Sequence, residues 1–585
     1  MSAHYALGIN VGFHDAAAAL LRDGRIVNLV EQEKVSRRKH AVAQSPALAI
    51  KHCLSDAGIG LHDISQIAVG WNIPATAMGR SRRFQPDRLA EMLFGELGLH
   101  AEVATAQAQR IEWVDHHLAH AASAYFSLGA EAMASGTPTA ILVIDGAGEH
   151  SSTTLAVGVG SDIRVLEQLP IDQSLGFYYS AATRWAGLGD FGEGKLMGLA
   201  SYGRATRAPG LNALPTGYVI ERDGKRLQTL AQGGTPELMM NQFPAFEAAL
   251  SPEFGAEYPY GKRSGEGVIA YANFAASVQH GLEAAVLGTA RRLASLTRAK
   301  RVVIAGGVAM NCSMIGRLLR ENLFERVYVP PVPTDVGVSL GAALWVSREK
   351  PGFAPTHIDH AAWSLPLQQD ADFASVLQSL QLAAVPLHAA AGPQVAARAI
   401  ANGCVVGWAQ GRAEVGERAL GCRSIVADPR SRSSLEKLNR VKGREMWRPV
   451  APSVLRERYR EFFVHEAHDP MRFMLAADYV RAAVRASVPA ITHVDGTARP
   501  QVVDQDLLPA YWELIDRFRE ASGVGMVTNT SFNLADEPIV CTAADAARTL
   551  ARSEGLDLVI AGGVAMSKTR AVLDAAVGVT ESLAA

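Results

Sequence analysis

One pattern is written twice in this chain, and it limits the fold more than any other feature. An apolar run, a polar turn and a returning apolar run occur at Tyr5–Asn10, Val11–Asp15 and Ala17–Leu21. The same order recurs at Ala140–Asp145, Gly146–Ser152 and Thr153–Gly158. In the first copy Asp23-Gly24 leads into a third strand, Ile26–Glu31; Asp-Gly between apolar runs supplies the backbone a tight hairpin needs. Strands of this kind must bury a face against helices, so the spacing predicts a duplicated α/β domain whose turns face one cleft. Chance recurrence of a common unit is the alternative that spacing alone leaves open. Arg301–Ala305, followed by Gly306-Gly307 and a helix from Asn311, reads as a further strand and turn of related use.

At 585 residues the chain exceeds what one core holds, about 300 residues, and two large domains are expected. The stretch 348–370 carries Pro351, Pro355 and Pro366 without periodicity and reads as a linker. This places a first domain at 1–352, a linker at 353–370 and a second domain at 371–585. The second opens with a helix at 391–402 and the strand Val405–Trp408. The octapeptide VIAGGVAM stands at 303–310 and again at 559–566 with unlike flanks, and reads as coincidence.

Lys+Arg 56 against Asp+Glu 58, a net charge of -2, argues against a nucleic-acid-coating protein. The 5 cysteines are scattered without a C-x-x-C pair, which disfavours thiolate zinc or a disulfide framework and fits a reducing cytoplasm. No apolar run of about 18 residues is free of charge, and the start lacks a signal-peptide pattern. A cytoplasmic enzyme with no membrane or nucleic-acid partner is expected.

The candidate metal site begins in VDHHLAHAASAYF (114–126), which reads as a helix. His116 and His120 lie one turn apart on one face, with His117 rotated away. Such a pair also fits ordinary core or surface histidines, and the absence of H-E-x-x-H argues against a zincin peptidase. Asp145 ends an apolar strand and Asp335 stands in PPVPTDVGVSLGAA before a helix. A carboxylate at the mouth of a buried strand is costly unless paired or metal-bound. Two imidazoles and two carboxylates together would suit iron, manganese or zinc.

Candidate anion sites follow. Gly306, Gly307 and Asn311 sit where a strand meets a helix start that offers N–H groups to phosphate. EGKLMGLASYG (193–203) adds Glu193 and Lys195 in a glycine-dense loop, and Gly146 lies in the turn after Asp145. In the second domain Arg412, Arg418, Arg423, Lys442, Arg444, Arg448 and Arg499 alternate with glycine and apolar residues. With Asn529, Ser531 and Asn533 of TNTSFN they read as a pocket for a triphosphate or acyl phosphate.

GINVGFHDAAAAL, VDHHLAHAASAYF, EGKLMGLASYG, AGGVAMNC and PTDVGVSLGAA resemble the first-domain motifs of the NodU/CmcH-type carbamoyltransferase family. QGRAEVGERALGCRSI, NRVKGREMWRPVAPSV, HVDGTARPQVV and NTSFNLADEPIV resemble its second-domain motifs. The resemblance runs from residue 5 to residue 560. It implies a duplicated ASKHA, TsaD-like first domain and a YrdC-like α/β second domain. It implies that the second domain makes carbamoyl adenylate from carbamoyl phosphate and ATP with Mg²⁺. It implies metal ligands at His116, His120, Asp145 and Asp335, holding Fe²⁺, Mn²⁺ or Zn²⁺. His14 and Asp15 match its transfer-site residues, with His14 as general base; an unperturbed imidazole titrates near about 6.5. Three positions depart from the pattern: Glu417 and Ser201 stand where proline is usual, and Asp536 where glycine is usual.

The expected acceptor is a hydroxyl on a small natural product, an antibiotic, with a polyketide, macrolide or ansamycin favoured by aromatics such as Trp71, Phe84, Phe94, Phe243, Phe246, Phe254, Tyr258 and Tyr260. A homodimer is also expected. The competing readings are a tRNA-threonylcarbamoylation enzyme, which would need a basic docking surface, and a non-catalytic nucleotide-binding protein.

Overall fold

The computed structural model describes residues 3–11, 14–76, 84–228, 243–254, 265–368, 372–388 and 390–578. Two compact units divide it: Met1–Ser36 with His40–Ile358, and Arg37–Lys39 with Asp359–Ala585. The division falls inside the stretch read as a linker, whose described residues pack on both units. Phe353 packs edge-on against Phe126 in the first unit, and Ser364 and Leu367 donate backbone hydrogen bonds to Ala413 and Gly411 in the second.

In the first unit β1 (Tyr5–Asn10), β2 (Ala17–Arg22), β3 (Arg25–Glu31), β4 (Ile64–Val69) and β5 (Ile111–Trp113) form a sheet of order β3-β2-β1-β4-β5. β1 and β3 pair antiparallel with β2, while β4 runs parallel to β1 and β5 parallel to β4. The second sheet repeats this plan. β6 (Thr139–Ile144), β7 (Ser151–Val159) and β8 (Asp162–Pro170) form the meander. A small sheet of β9 (Leu211–Leu214), β10 (Gly217–Arg222) and β11 (Lys225–Arg226) comes next in the chain. β12 (Arg301–Ala305) and β13 (Arg326–Tyr328) then complete the order β8-β7-β6-β12-β13, with the same parallel and antiparallel pairings. The duplication expected from the two meanders is therefore present in the topology.

Small residues decide how closely the helices lie on these sheets. A Cβ on Gly8 of β1 would meet Ser339 O at 1.9 Å, and one on Gly341 would meet Ala119 O at 1.8 Å. The helix Asp335–Ser347 is thus pressed against β1 on one side and against the helix His116–Phe126 on the other. That double contact brings the start of one helix beside the first turn of the other. Asp145 follows the last residue of β6 and Gly306 the last of β12, so both stand at the carboxyl ends of parallel neighbours, where open α/β sheets place their ligands.

The second unit is built on one mixed sheet of order β14-β23-β22-β15-β16-β21-β17-β20. Its strands are β14 (Ala383–Pro386), β15 (Val406–Ala409), β16 (Arg423–Ala427), β17 (Ala451–Leu455), β20 (Gln501–Val503), β21 (Met526–Ser531), β22 (Leu558–Ala561) and β23 (Val564–Ser567); β18 (Asp478–Tyr479) and β19 (Thr497–Ala498) pair separately. Alternation puts Val406, Trp408 and Val426 in a core with the helices Gly392–Ala401 and Pro509–Ser522. Ala409, Ile425 and Ala427 join a second core with the helices Arg432–Val441 and Ala543–Arg552. Among the described residues no helix is long and apolar enough to cross a membrane.

Candidate functional site

The first two turns of the helix His116–Phe126 and the first residue of the helix Asp335–Ser347 supply three of four converging side chains; Asp145 supplies the fourth. One ligand atom from each of His116, His120, Asp145 and Asp335 lies within 4.8 Å of all the others, and all four residues are buried. His116 Nε2 is 3.4 Å from Asp145 Oδ2 and 3.5 Å from Asp335 Oδ1; His120 Nε2 is 3.7 and 3.5 Å from the same atoms. The two Nε2 atoms are 3.2 Å apart.

The surroundings aim these atoms inward. His116 Nδ1 lies 3.1 Å from Gly70 O, which accepts its proton and leaves the Nε2 lone pair facing the cluster. The Gly307 N–H donates to Asp145 Oδ1 at 2.7 Å, leaving Oδ2 for the interior. Trp71 covers the His116 ring at 3.9 Å between centroids. Glu149 accepts the His116 backbone N–H on both oxygens, capping the helix that carries the histidines. His117 turns away to Thr154 Oγ1 at 2.8 Å.

Charge follows from this packing. Burial alone would keep His116 neutral, but Asp335 and Asp145 outweigh it and push the imidazole up to about 10. Burial opposes ionisation of both carboxylates, yet the two histidines hold them below the ordinary carboxylate range. His117 moves oppositely: burial, then the neighbouring His116, push it down to about 3. Two imidazole nitrogens in contact between two carboxylates need either protons or a cation, so the donor set fits a divalent metal of the iron, manganese or zinc type.

Beside this cluster His14 Nδ1 lies 3.0 Å from Asp15 Oδ2. Burial lowers the His14 pKa, but the Asp15 carboxylate overrides it and pushes the ring up to about 10, with Asp335 and Asp145 adding to the effect. Asp15 has φ 56 and is tied by its backbone N–H to His40 O at 2.8 Å and by its carbonyl to Asn10 Nδ2 at 2.9 Å. His40 Nδ1 stands 3.6 Å from the other Asp15 oxygen. Sequence reasoning missed His40 and Glu149 because their partners are brought near only by the fold.

The other first-unit candidates have partners within the fold. Gly306 has φ 90, and a Cβ there would meet Ile144 O at 2.2 Å. Gly307 donates its N–H to Asp145. Asn311 caps the helix Cys312–Arg320 through Met314 N and pairs with the Gln279 amide. Glu193 accepts from Ser180 Oγ at 2.6 Å, and Lys195 Nζ reaches Leu188 O at 3.4 Å. Gly146 borders Phe177. Of the aromatics, Phe94 and Phe246 are core, while Tyr258 and Tyr260 and the side chains of Phe243 and Phe254 lie outside the described residues.

In the second unit Lys442 is buried and donates to Ser531 O and Oγ and to Asn533 O and Oδ1. Burial pulls its pKa well down, and Arg444, Lys39 and Arg448 pull it further. Arg444 is pushed down to about 9 by burial, then by Arg448 and Arg499; Arg448 is lowered by burial and by Arg418. Cations that repel one another this strongly form a site that an anion would relieve. Arg423 does not belong to it: its guanidinium donates to the carbonyls of Gln410, Cys422, Gly411 and Cys541. Asn529 is likewise spent on Ala419 O, Ser453 Oγ and Gln501 Oε1. Arg412 is half-buried in the loop that pairs with Pro366.

Residues 5–78 and 80–344 match the model of the carbamoyltransferase N-terminus, and residues 397–568 that of the carbamoyltransferase C-terminus. The chain belongs to the carbamoyltransferase family. Nodulation protein NolNO of Sinorhizobium fredii is 36% identical over 575 residues, covering 96% of this chain and 80% of the relative. Nodulation protein NolO of Bradyrhizobium diazoefficiens is 36% identical over 482 residues, 79% of this chain and 80% of its own. Nodulation protein U of Sinorhizobium fredii is 28% identical over 551 residues, 89% and 92% of the two chains. This carbamoyltransferase therefore carries a buried His/Asp cluster able to bind a metal in its N-terminal family region, and a cluster of buried cations in its C-terminal one.

Proposed function

We propose that this carbamoyltransferase is an ATP-dependent O-carbamoyltransferase acting on a hydroxyl of a natural product, an antibiotic among the candidates. The observation that carries the reading is the pairing of two unlike sites in one family member: a cation cluster built for polyanions and a His/Asp cluster flanked by His14 and Asp15.

In the second unit Arg418, Arg444, Arg448 and Arg499 hold the phosphates of carbamoyl phosphate and of Mg²⁺-bound ATP. Lys442, kept in place by Ser531 and Asn533, offers charge to the α-phosphate as it is attacked. Water first releases phosphate from carbamoyl phosphate, and the freed carbamate oxygen attacks the α-phosphorus of ATP. Pyrophosphate leaves with the electron pair, and carbamoyl adenylate is the product.

In the first unit the acceptor hydroxyl attacks the carbamoyl carbon and AMP departs. His116, His120, Asp145 and Asp335 would hold the metal, which when bound supplies a positive charge to steady the adenylate phosphate. Asp15 fixes the His14 ring by its Nδ1 proton, so Nε2 is the atom that takes the hydroxyl proton. Glu149 and Gly307 keep the ligand cage in register through the helix cap and Asp145.

Incubation with carbamoyl phosphate, ATP and Mg²⁺ should release pyrophosphate without any acceptor. A metal-loaded preparation that hydrolyses no ATP to pyrophosphate would sink this reading.

A further inference from the structure

Phe191 is a large aromatic that the structure leaves exposed beside the transfer-site histidine His14. It lies in the turn between the helices Leu175–Trp185 and Glu193–Ala200 and is 42% exposed. His40 stacks on its ring at 4.1 Å and 13°, and His14 meets the ring edge-on at 5.4 Å and 84°. One face is therefore filled by His40, and the exposed area belongs to what remains, within reach of the His14 ring. Its backbone sits at φ 57, a conformation that a bulky residue adopts only at a cost. Exposing an aromatic in a strained turn gains nothing for folding, and strain of this kind gathers where a ligand is held.

We propose that Phe191, backed by His40, is the specificity platform for the acceptor: the acceptor carries its hydroxyl on a saturated ring whose C–H face lies on Phe191. The inference rests on the transfer reading given above. An aromatic face is electron-rich and attracts the C–H edges of a ring, while hydroxyls on the rim of that ring donate to nearby acceptors. A cationic acceptor fits less well. The flanking carboxylates are already engaged, Asp190 with Arg184 at 3.2 Å and Glu193 with Ser180 at 2.6 Å. The platform places the reacting hydroxyl by stacking and leaves proton removal to His14, so Phe191 positions and does not react.

The test uses the full chain with glucopyranose and N-acetylglucosamine tetramers as ring probes and glycerol as a hydroxyl without a ring. Irradiation of the aromatic protons should transfer saturation to the C–H protons of a ring probe but not to glycerol. Phe191→Gly should abolish that transfer and raise KM for the ring probe about tenfold or more. Because glycine relieves the strained backbone, the melting temperature should stay level or rise, and pyrophosphate release without acceptor should be unchanged. Phe191→Leu should fall between the two. The proposal is overturned if neither ring probe receives saturation from the wild-type chain, or if Phe191→Gly keeps the wild-type KM. It is equally overturned if that variant unfolds early, which would make Phe191 a structural residue. Binding is read without ATP, so its failure is separate from a failure to form pyrophosphate.

Discussion

Asp15 decides what His14 can do at neutral pH. An unperturbed imidazole at 6.5 would be half free as a base near neutrality, but the Asp15 carboxylate pushes the ring up to about 10. A general base works deprotonated, so the transfer rate should climb with pH from neutrality toward that value. Asp15→Asn removes the charge that holds the proton, and the rising limb of kcat/KM should move to lower pH; a limb that stays in place would remove His14 from the role. The same shift has a stability sign. The His14–Asp15 pair contributes fully between about pH 3.8, where a free Asp15 would take up a proton, and pH 6.5, and loses its contribution as pH rises through the raised value or falls through the lowered Asp15 one. In the second unit residue type did not foretell partner. Lys442 and Arg423 look alike in the sequence, yet Lys442 is crowned by Ser531 and Asn533 next to other cations, while Arg423 is absorbed by four carbonyls. Lys442→Met should cut pyrophosphate release by about 10²-fold or more, as loss of a charge-stabilising donor does. Equal release by the variant would assign the lysine to packing alone.

At the scale of elements, the turn Gly306-Gly307 carries more weight than a generic strand-to-helix connection. Gly306 must be glycine because its Cβ would strike the Ile144 carbonyl, and Gly307 holds Asp145. Gly306→Ala should therefore lower stability and release the metal, read by thermal melting and by metal content after dialysis. Gly194→Ala is the matched control: a Cβ there meets nothing within 4 Å, so the helix should gain about 0.5–1 kcal/mol and keep its metal. Loss of metal in both variants would mean that glycine content, not the Gly306 contact, controls the site. The strands and the His116–Phe126 helix were legible because their periodicity is local. The octapeptide VIAGGVAM shows where local reading stops. At 303–310 it runs from β12 into a short helical turn, with only Gly306 left-handed; at 559–566 it closes the hairpin of β22 and β23, with Gly562 at φ 58 and Gly563 at φ 78. Identical residues take two forms because β12 has a parallel neighbour on either side, whereas β22 folds back on β23. Asp536 makes the converse point: it stands where glycine is usual and keeps the left-handed backbone, φ 58, so the loop is preserved and Asn533 still bonds Glu537 O.

For the molecule as a whole, the sequence brought out the residues of both clusters but not how the clusters are built. His116, His120, Asp145 and Asp335 could be named because buried strand ends and one helical turn constrain them. The contacts of Glu149, Trp71 and His40 could not be read, since each acts through a neighbour remote in the chain. The proposed reaction divides between two units with different needs, and this gives a prediction that neither site offers alone. Chelation of the metal, or His120→Ala, should stop carbamoyl transfer while leaving pyrophosphate release intact, because the cations proposed to hold carbamoyl phosphate and ATP lie in the second unit. Lys442→Met should do the reverse, losing pyrophosphate release while the metal content stays at the wild-type level. Metal binding itself should strengthen as pH rises, since His116 and His120 are both raised by their carboxylates and must shed protons to become ligands. The decisive measurements are pyrophosphate release and metal content on the same three preparations. If His120→Ala also stopped pyrophosphate release with its fold intact, the metal cluster would be required for adenylate formation, and the division of labour between the units would fall.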